Sequence, residues 1–234
     1  MKIMTFNTQH CLNYIERKID FDLMAKVILD YGADVVGLNE IRGEGPNPEY
    51  TAQTEKLASL TGMKYYYFAP ALHLHAGDYG NAILSKYPIV FAEKIMIPDP
   101  PVKEVEGGYY ETRCVLKAKL DNGITFMVTH FGLNPDEAIR AVKTVVDNAP
   151  KDKCVLMGDF NLTPDSPFLA PIREKMKDCA DLFTEQKLSY PSDNPDKKID
   201  YIFVSPDIDV IKADIPCVVA SDHRPHTATI KVNE

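Results

Sequence analysis

A run of apolar residues in the second half of the chain, Val155 to Met157, ends abruptly at a polar pair, Asp159 and Asn161. The run is typical of a buried strand. Because side chains alternate along an extended chain, the two polar groups should face the same way. Asp and Asn are also ordinary turn residues, so the pair could simply mark a turn before Pro164. Alternatively, a core strand ending in convergent polar groups builds a functional site.

The rest of the chain shows two patterns of apolar residues, one typical of helices and one typical of strands. Helical spacing predicts helices at 21–31, capped by Asp20 and closed by Gly32, and at 51–60, 135–148 and 167–176. Extended patterns predict strands at 2–6, 34–39, 63–69, 81–85, 90–97, 113–120, 124–129, 154–160, 199–204 and 227–232. Residues 121–123 predict a hairpin turn, and 43–48 and 98–108 are predicted loops. Two stacked sheets covered by helices accommodate this many strands, and we expect one domain over residues 1–234.

Composition narrows the class of protein. The net charge of -8 and the lack of a Lys/Arg-rich patch with interleaved aromatic residues disfavour a tight grip on nucleic acid without excluding a nuclease. The five cysteines are scattered and form no Cys-x-x-Cys pair, which is typical of a reducing compartment. No apolar run is long enough for a signal peptide or a membrane span, so we expect a cytoplasmic protein. The sequence leaves open whether a precursor is trimmed before Met1. We also expect a monomer.

Polar residues recur where predicted strands end. Taken singly, each could be strand-end solvation or a satisfied structural residue. Asp200 is harder to explain in that way, because a carboxylate inside an apolar strand needs a partner to offset its desolvation. His10, His73, His75 and His226 have no supporting pattern and are predicted to be surface or structural residues. The others, predicted to meet at one rim of the sandwich, are Asn7, Glu40, His130, Asp159, Asn161, Asp200, Asp222 and His223.

Such a rim would support a specific chemistry. Carboxylate and amide oxygens without a cysteine ligand suit a hard cation, Mg²⁺ or Mn²⁺. A histidine paired with a carboxylate can act as a general base on water or hold a phosphate oxygen as imidazolium. Together these groups suit in-line attack of water on a phosphate ester.

Six short motifs occur in the order found in the endonuclease/exonuclease/phosphatase superfamily, and the chain resembles that superfamily from Thr5 to Pro225. The motifs are Phe6-Asn7, Asn39-Glu40, Thr129-His130-Phe131, Gly158-Asp159-Phe160-Asn161, Ile199-Asp200-Tyr201 and Ser221-Asp222-His223. The resemblance implies an α+β fold of four layers, α/β/β/α, with helices outside two packed, mostly antiparallel sheets.

The resemblance also implies roles for the motif residues. It makes Glu40 the principal metal ligand, with Asn7 beside it and Asp222 as an additional metal or water ligand. It also implies catalytic roles. Asp159 and Asn161 orient water and contact the phosphate, His223 is the catalytic histidine oriented by Asp200, and His130 is a second histidine. Arg113 is implied to be an arginine near the site that contacts the substrate.

The substrate is less constrained, because specificity in such a fold depends on loops. The expected substrate is a phosphodiester or a small phosphorylated molecule. A nuclease and a non-catalytic binding module of the same fold are the alternatives, and the sequence leaves open whether one or two metals bind. The segments 73–80 and 98–110 are the expected substrate walls.

Overall fold

The computed structural model describes residues 1–46, 50–105 and 108–232. Within these ranges the strands are β1 (Lys2–Asn7), β2 (Val35–Arg42), β3 (Tyr65–Leu72), β4 (Tyr79–Ser85), β5 (Ile89–Met96), β6 (Glu104–Val105), β7 (Gly108–Tyr109), β8 (Cys114–Leu120), β9 (Thr125–His130), β10 (Cys154–Asp159), β11 (Lys177–Asp178), β12 (Asp200–Val204), β13 (Ile208–Asp214) and β14 (His226–Val232). The α-helices are α1 (Phe21–Tyr31), α2 (Gln53–Thr61), α3 (Pro135–Asn148) and α4 (Ala170–Arg173). No helix in the described part of the chain is long and apolar enough to cross a membrane.

Twelve of the strands form two six-stranded sheets. The order is β13-β14-β1-β2-β4-β3 in the first sheet and β11-β12-β10-β9-β8-β5 in the second. Each sheet contains one parallel pair, β1 with β2 and β9 with β10, and the other pairs are antiparallel. Both parallel pairs are connected through a helix, α1 or α3, as a parallel connection requires. The predicted mostly antiparallel two-sheet sandwich is confirmed.

The strands are apolar on both faces because both faces are covered. Alternate residues of β1 show this: Ile3 packs between the two sheets, whereas Met4 packs under α1 and α2. In β10, Val155 and Met157 face the other sheet and Leu156 packs under α3. The layers are therefore helix, sheet, sheet, helix, and the central strands have the continuous apolar runs expected of doubly covered strands.

The predicted helix ends are accurate for the first helix. The side chain of Asp20 accepts a hydrogen bond of 2.9 Å from the Leu23 amide, and Gly32 ends α1 with a left-handed φ of 64°. Pro135 occupies the first turn of α3, as expected. The hairpin predicted at 121–123 joins β8 and β9, with Gly123 at a φ of 87°.

Other predictions need correction. Strand β13 was not predicted, because it is an edge strand with a largely exposed side. Strand β3 begins and ends later than predicted and contains Pro70, which its edge position tolerates. The helix predicted at 167–176 is a 3-10 turn followed by the four-residue α4. The predicted loop 98–108 contains β6 and part of β7; residues 106–107, and residues 47–48 of the predicted loop 43–48, lie outside the described ranges.

Candidate active site

The two sheets bring their polar strand ends to the same rim. In the parallel pair of the first sheet Asn7 lies beside Asn39, and in that of the second sheet Asp159 lies beside His130. Asp200 begins β12, which runs antiparallel to β10, and so it also lies opposite Asp159. Because parallel neighbours run in the same direction, the polar residues at or near their carboxyl ends lie at one edge of the sheet.

Asn7 connects the two sheets at this rim. Its Nδ2 donates hydrogen bonds of 3.1 Å to Glu40 Oε1 and 3.1 Å to Asp159 Oδ2, while its Oδ1 accepts from the Gln9 amide. Asn7 and Asp159 are almost fully buried. The Asn7 side chain thus lies between two carboxylates from different sheets and holds them at a defined separation.

Two of the site residues have an unusual backbone. Glu40 has a φ of 60°, at an irregularity in the pairing of β2 with β4 between Leu38 and Ile41. Asn161 has a φ of 49°. Non-glycine residues rarely adopt such values, and such strained residues are frequent at functional sites.

The reason given in the sequence analysis for the direction of Asn161 was wrong. Strand β10 ends at Asp159, so strand alternation does not extend to Asn161. A turn closes instead: the Asn161 amide donates to Asp159 Oδ1 at 2.9 Å, and Asn161 Nδ2 donates to the Phe131 carbonyl at 3.0 Å. The two side chains nevertheless line the same cleft.

His223 and Asp200 form a buried pair, with 2.8 Å between His223 Nδ1 and Asp200 Oδ2. His223 Nε2 lies 3.6 Å from Asp159 Oδ2, and the Tyr190 ring packs on the imidazole at 4.8 Å between centroids. Burial by itself disfavours the imidazolium, but the charges of Asp200 and Asp159 outweigh it and raise the pKa of His223 to about 10. His223 is therefore positively charged at neutral pH.

His130 has the opposite character. Burial, together with the positive charges of Arg113 and His223, lowers the pKa of His130 well below its ordinary value. Arg113 Nη1 donates to His130 Nδ1 at 2.9 Å, so the single ring proton of the neutral histidine lies on Nε2. That nitrogen is 3.5 Å from Asp159 Oδ2. The neutral His130 thus presents an N–H donor to the same carboxylate as the charged His223.

The acidic residues of the rim repel one another. Burial, with a contribution from Asp200 and against the opposing effect of His223, raises the pKa of Asp159 above the ordinary range. Burial and the nearby Glu40 likewise raise the pKa of Asp222, although His223 opposes this shift. A cation held between these carboxylates would relieve this repulsion.

The donor set fits a hard divalent cation. Glu40, Asp159 and Asp222 supply carboxylate oxygens, and no thiol lines the cleft in the described part of the chain. Asn7 lies beside them with its Nδ2 donating to Glu40 and Asp159. Ligand atoms of Asp159, Asp200 and His223 also lie within 4.8 Å of one another. Since His223 is hydrogen-bonded to Asp200 and carries a positive charge, that second group suits proton transfer better than metal binding.

A cleft of about 570 Å³ opens onto this rim. All the residues predicted for the site line it except Asn7 and Asp200, which lie buried behind it. The remaining wall residues were not predicted from the sequence; they are Leu133, Leu162, Thr163, Ser166, Tyr190, Lys197 and Ile199. They come mostly from loops without periodicity, so no sequence pattern marked them. The segments 73–80 and 98–110, predicted as substrate walls, contribute no residue to this cleft among the described residues.

The four histidines without a sequence pattern lie outside this cleft. His226 is completely buried and packs against the Phe183 ring, and His73 is exposed and paired with Asp78 at 2.8 Å. Asn39 and Asn81 are two buried asparagines behind the site to which the sequence analysis gave no role. A polar amide within an apolar strand was the available indication for both.

Two packed six-stranded sheets, covered by helices and carrying carboxylates, amides and histidines at one rim, define the class of fold. The chain belongs to the endonuclease/exonuclease/phosphatase family, whose model matches residues 4–223. Members of this family are generally hydrolases that act on phosphoester bonds. None of the curated protein sequences matches the chain.

Several solved structures share the fold. An endonuclease/exonuclease/phosphatase from Beutenbergia cavernae is 22% identical with a TM-score of 0.80, over 99% of this chain and 71% of its own. One from Bacteroides vulgatus is 22% identical with a TM-score of 0.75, over 99% and 98%. A mannosyl-6-phosphatase from Bacteroides thetaiotaomicron is 15% identical with a TM-score of 0.74, over 99% of both chains.

Proposed function

We propose that this protein is a Mg²⁺- or Mn²⁺-dependent phosphoesterase that hydrolyses a phosphodiester or a small phosphorylated molecule. The observation that carries the proposal is the position of Asp159. Its Oδ2 atom lies 3.6 Å from the charged His223, 3.5 Å from the neutral His130 and 3.1 Å from the amide of Asn7. The Asp159 carboxylate therefore lies close to the charged His223 and the neutral His130, and Asn7 connects it to Glu40.

The side chains divide the chemistry among them. Asp159 orients the attacking water and accepts its proton, since its raised pKa makes it a better base than an ordinary carboxylate. His223, held by Asp200, donates from Nε2 to a phosphate oxygen and stabilises the charge that develops there. His130 and Arg113 supply a neutral and a charged donor on the other side of the cleft, and Asn161 contacts the phosphate.

Glu40 and Asp222 are the residues whose carboxylates would hold the cation, with Asn7 beside Glu40. Held there, Mg²⁺ or Mn²⁺ would supply a positive charge to offset the charge that develops on the phosphate ester during hydrolysis. Glu40 lies at a strained backbone position and receives the Asn7 hydrogen bond, so its carboxylate has a defined direction. This arrangement requires no ligand from a flexible surface residue.

The dimensions of the cleft favour a small substrate. Its volume of about 570 Å³ lies within the usual range of small-molecule sites, roughly 300–1,000 Å³. Three apolar residues, Leu133, Leu162 and Ile199, line the cleft together with Lys197, whose Nζ lies 6.0 Å from the centre of the Tyr190 ring. The net charge of -8 disfavours a nucleic-acid substrate.

A panel of phosphoesters tests the proposal. The purified protein should hydrolyse p-nitrophenyl phosphate, bis-p-nitrophenyl phosphate or mannose 6-phosphate with added Mn²⁺, and should lose this activity when a chelator is added. Mannose 6-phosphate is included because a structural neighbour is a mannosyl-6-phosphatase. Supercoiled plasmid should stay intact.

The outcomes separate the alternatives. Efficient nicking of the plasmid with weak turnover of small esters would replace the proposal with a nuclease. Equal, negligible rates for the wild type and for Asp159→Ala on every substrate would contradict a catalytic role and favour a binding module.

A further inference from the structure

Two asparagines lie in the interface between the two sheets, directly behind the site. Asn39 is the fifth residue of β2 and Asn81 the third of β4, and their exposed fractions are 0% and 2%. The core between the sheets is otherwise largely apolar and includes Val128 and Met157. A buried amide must find hydrogen-bond partners to offset its desolvation, so two of them together demand a reason.

The hydrogen bonds of Asn39 cross between the sheets. Its Oδ1 accepts from the backbone amide of Asp159 at 3.0 Å, and its Nδ2 donates to the Thr129 carbonyl at 2.9 Å. Asp159 and Thr129 belong to the second sheet, whereas Asn39 belongs to the first. A single side chain therefore attaches the end of β2 to the ends of β9 and β10.

Asn81 fixes the orientation of Asn39. Its Oδ1 accepts from Asn39 Nδ2 at 2.8 Å, and its own Nδ2 donates to the Cys114 carbonyl at 2.9 Å. With Oδ1 and both Nδ2 hydrogens engaged, the Asn39 amide has one orientation. A fully satisfied buried network of this kind favours one arrangement of the groups around it.

Asn39 is connected to two carboxylate residues of the site, one through the chain and one through a hydrogen bond. The next residue along the chain is Glu40, which approaches the rim from the first sheet. The hydrogen-bonded residue is Asp159, which approaches it from the second sheet. Asn39 is therefore joined to Glu40 by a peptide bond, and its side chain is hydrogen-bonded to the backbone amide of Asp159.

We propose that Asn39 is a positioning residue, which acts with Asn81 to set the separation between the carboxylates of Glu40 and Asp159. The inference rests on the proposed function, because it assigns a purpose to the separation of a cation ligand and a water-orienting group. Contacts of this outer kind commonly change metal affinity or activity by ~10- to 100-fold. Asn39 touches neither the substrate nor the reacting atoms and acts through Glu40 and Asp159.

Ser205 offers a matched control. Its Oγ accepts a 2.9 Å hydrogen bond from the amide of Cys154, the first residue of β10, just as Asn39 accepts from the amide of Asp159, the last residue. Both acceptors are buried. Ser205→Ala removes a comparable hydrogen bond from the opposite end of the same strand, away from the rim.

The experiment compares Asn39→Ala, Asn81→Ala and Ser205→Ala with the wild type. For each protein we would measure the urea midpoint, Mn²⁺ binding by calorimetry, and kcat and KM on the best ester. Asn39→Ala should lower kcat or weaken Mn²⁺ binding by ~10- to 100-fold with little change in KM, and Asn81→Ala should show a smaller effect of the same kind. Ser205→Ala should lower the urea midpoint but keep kcat and Mn²⁺ binding within about twofold of the wild type.

The readouts separate the two proposals. If the wild type is active and Asn39→Ala matches Ser205→Ala in kcat and Mn²⁺ binding, the positioning role is wrong while the proposed function stands. A wild type that neither binds Mn²⁺ nor turns over any ester contradicts both. If Asn39→Ala does not fold, Asn81→Ala decides, since it leaves the Asn39 bond to Asp159 in place but removes its support.

Discussion

His223→Ala should lower kcat at least ~100-fold, the effect expected for loss of an acid–base or electrostatic group. The imidazole is held by Asp200 at 2.8 Å and points its Nε2 at Asp159, so no neighbouring side chain has the same position. Asp159→Ala should cause a loss at least as large, because it removes the group that orients water. Steady-state hydrolysis of the preferred ester with saturating Mn²⁺ measures both.

The pH profile identifies the form of His223 that acts. Nearby carboxylates raise its pKa to about 10, so the imidazolium is present below that pH and is lost as the pH rises through it. The wild-type rate should rise as Asp159 ionises, hold a plateau, and decline toward pH 10. His223→Ala should lack this alkaline decline. His73→Ala, a change at an exposed histidine outside the cleft, should retain wild-type activity; a wild-type rate that keeps rising through pH 10 would contradict an imidazolium role.

Gly158→Ala should be the most destabilising single change on β10. Gly158 has a φ of 148°, and a Cβ there would lie 1.8 Å from the Thr129 carbonyl oxygen. The backbone conformation costs roughly 1–3 kcal/mol for a residue with a side chain. Relief of the clash would cost about 1–3 kcal/mol more. Together these are a large part of the ~5–15 kcal/mol that stabilises a typical domain.

Gly62→Ala is the control for this prediction. Gly62 has a φ of 70°, but a Cβ there meets no atom within 4 Å. It should therefore lose only the backbone contribution of roughly 1–2 kcal/mol. Urea unfolding of both variants isolates the clash; equal midpoints would show that β9 and β10 separate easily beside the site.

Much of the fold follows from local rules that the sequence displays. Asp20, Gly32 and Pro135 mark helix ends through capping and proline geometry, which depend on a few adjacent residues. The central strands are apolar on both faces because both faces are buried. Strand β13 lacks this pattern because it lies at a sheet edge, so its exposed Ile211 and Lys212 resemble a loop.

The residues of the site are predictable from the sequence, but their backbone conformations and long-range hydrogen bonds are not. The strand ends that carry Asn7 and Asp159 are visible in the sequence, whereas Glu40 lies within β2 and not after its end as predicted. The left-handed backbone of Glu40 and Asn161 is not visible, since it arises from irregular pairing and a turn closed by side chains. The bond from Asn39 to Asp159 joins residues 120 positions apart and cannot be read from either strand.

The walls of the cleft were the least predictable part. Leu133, Tyr190 and Lys197 come from segments whose conformation depends on contacts with distant strands. The Tyr190 ring lies on His223, yet the two are far apart in sequence and share no pattern. These residues line the cleft around the rim, so the part of the site that would select a substrate was less predictable from the sequence than the polar groups of the rim.

A Mn²⁺ titration of the wild type and Glu40→Gln, followed by calorimetry and by ester hydrolysis, tests whether hydrolysis depends on a metal bound at this rim. Activity should rise with Mn²⁺ occupancy in the wild type, and Glu40→Gln should weaken binding at least ~10- to 100-fold, the loss typical of even an outer contact to a metal. Glu55→Gln, the same change at an exposed position on α2, should match the wild type. Unchanged Mn²⁺ affinity and hydrolysis in Glu40→Gln would contradict a metal-dependent phosphoesterase site at this rim.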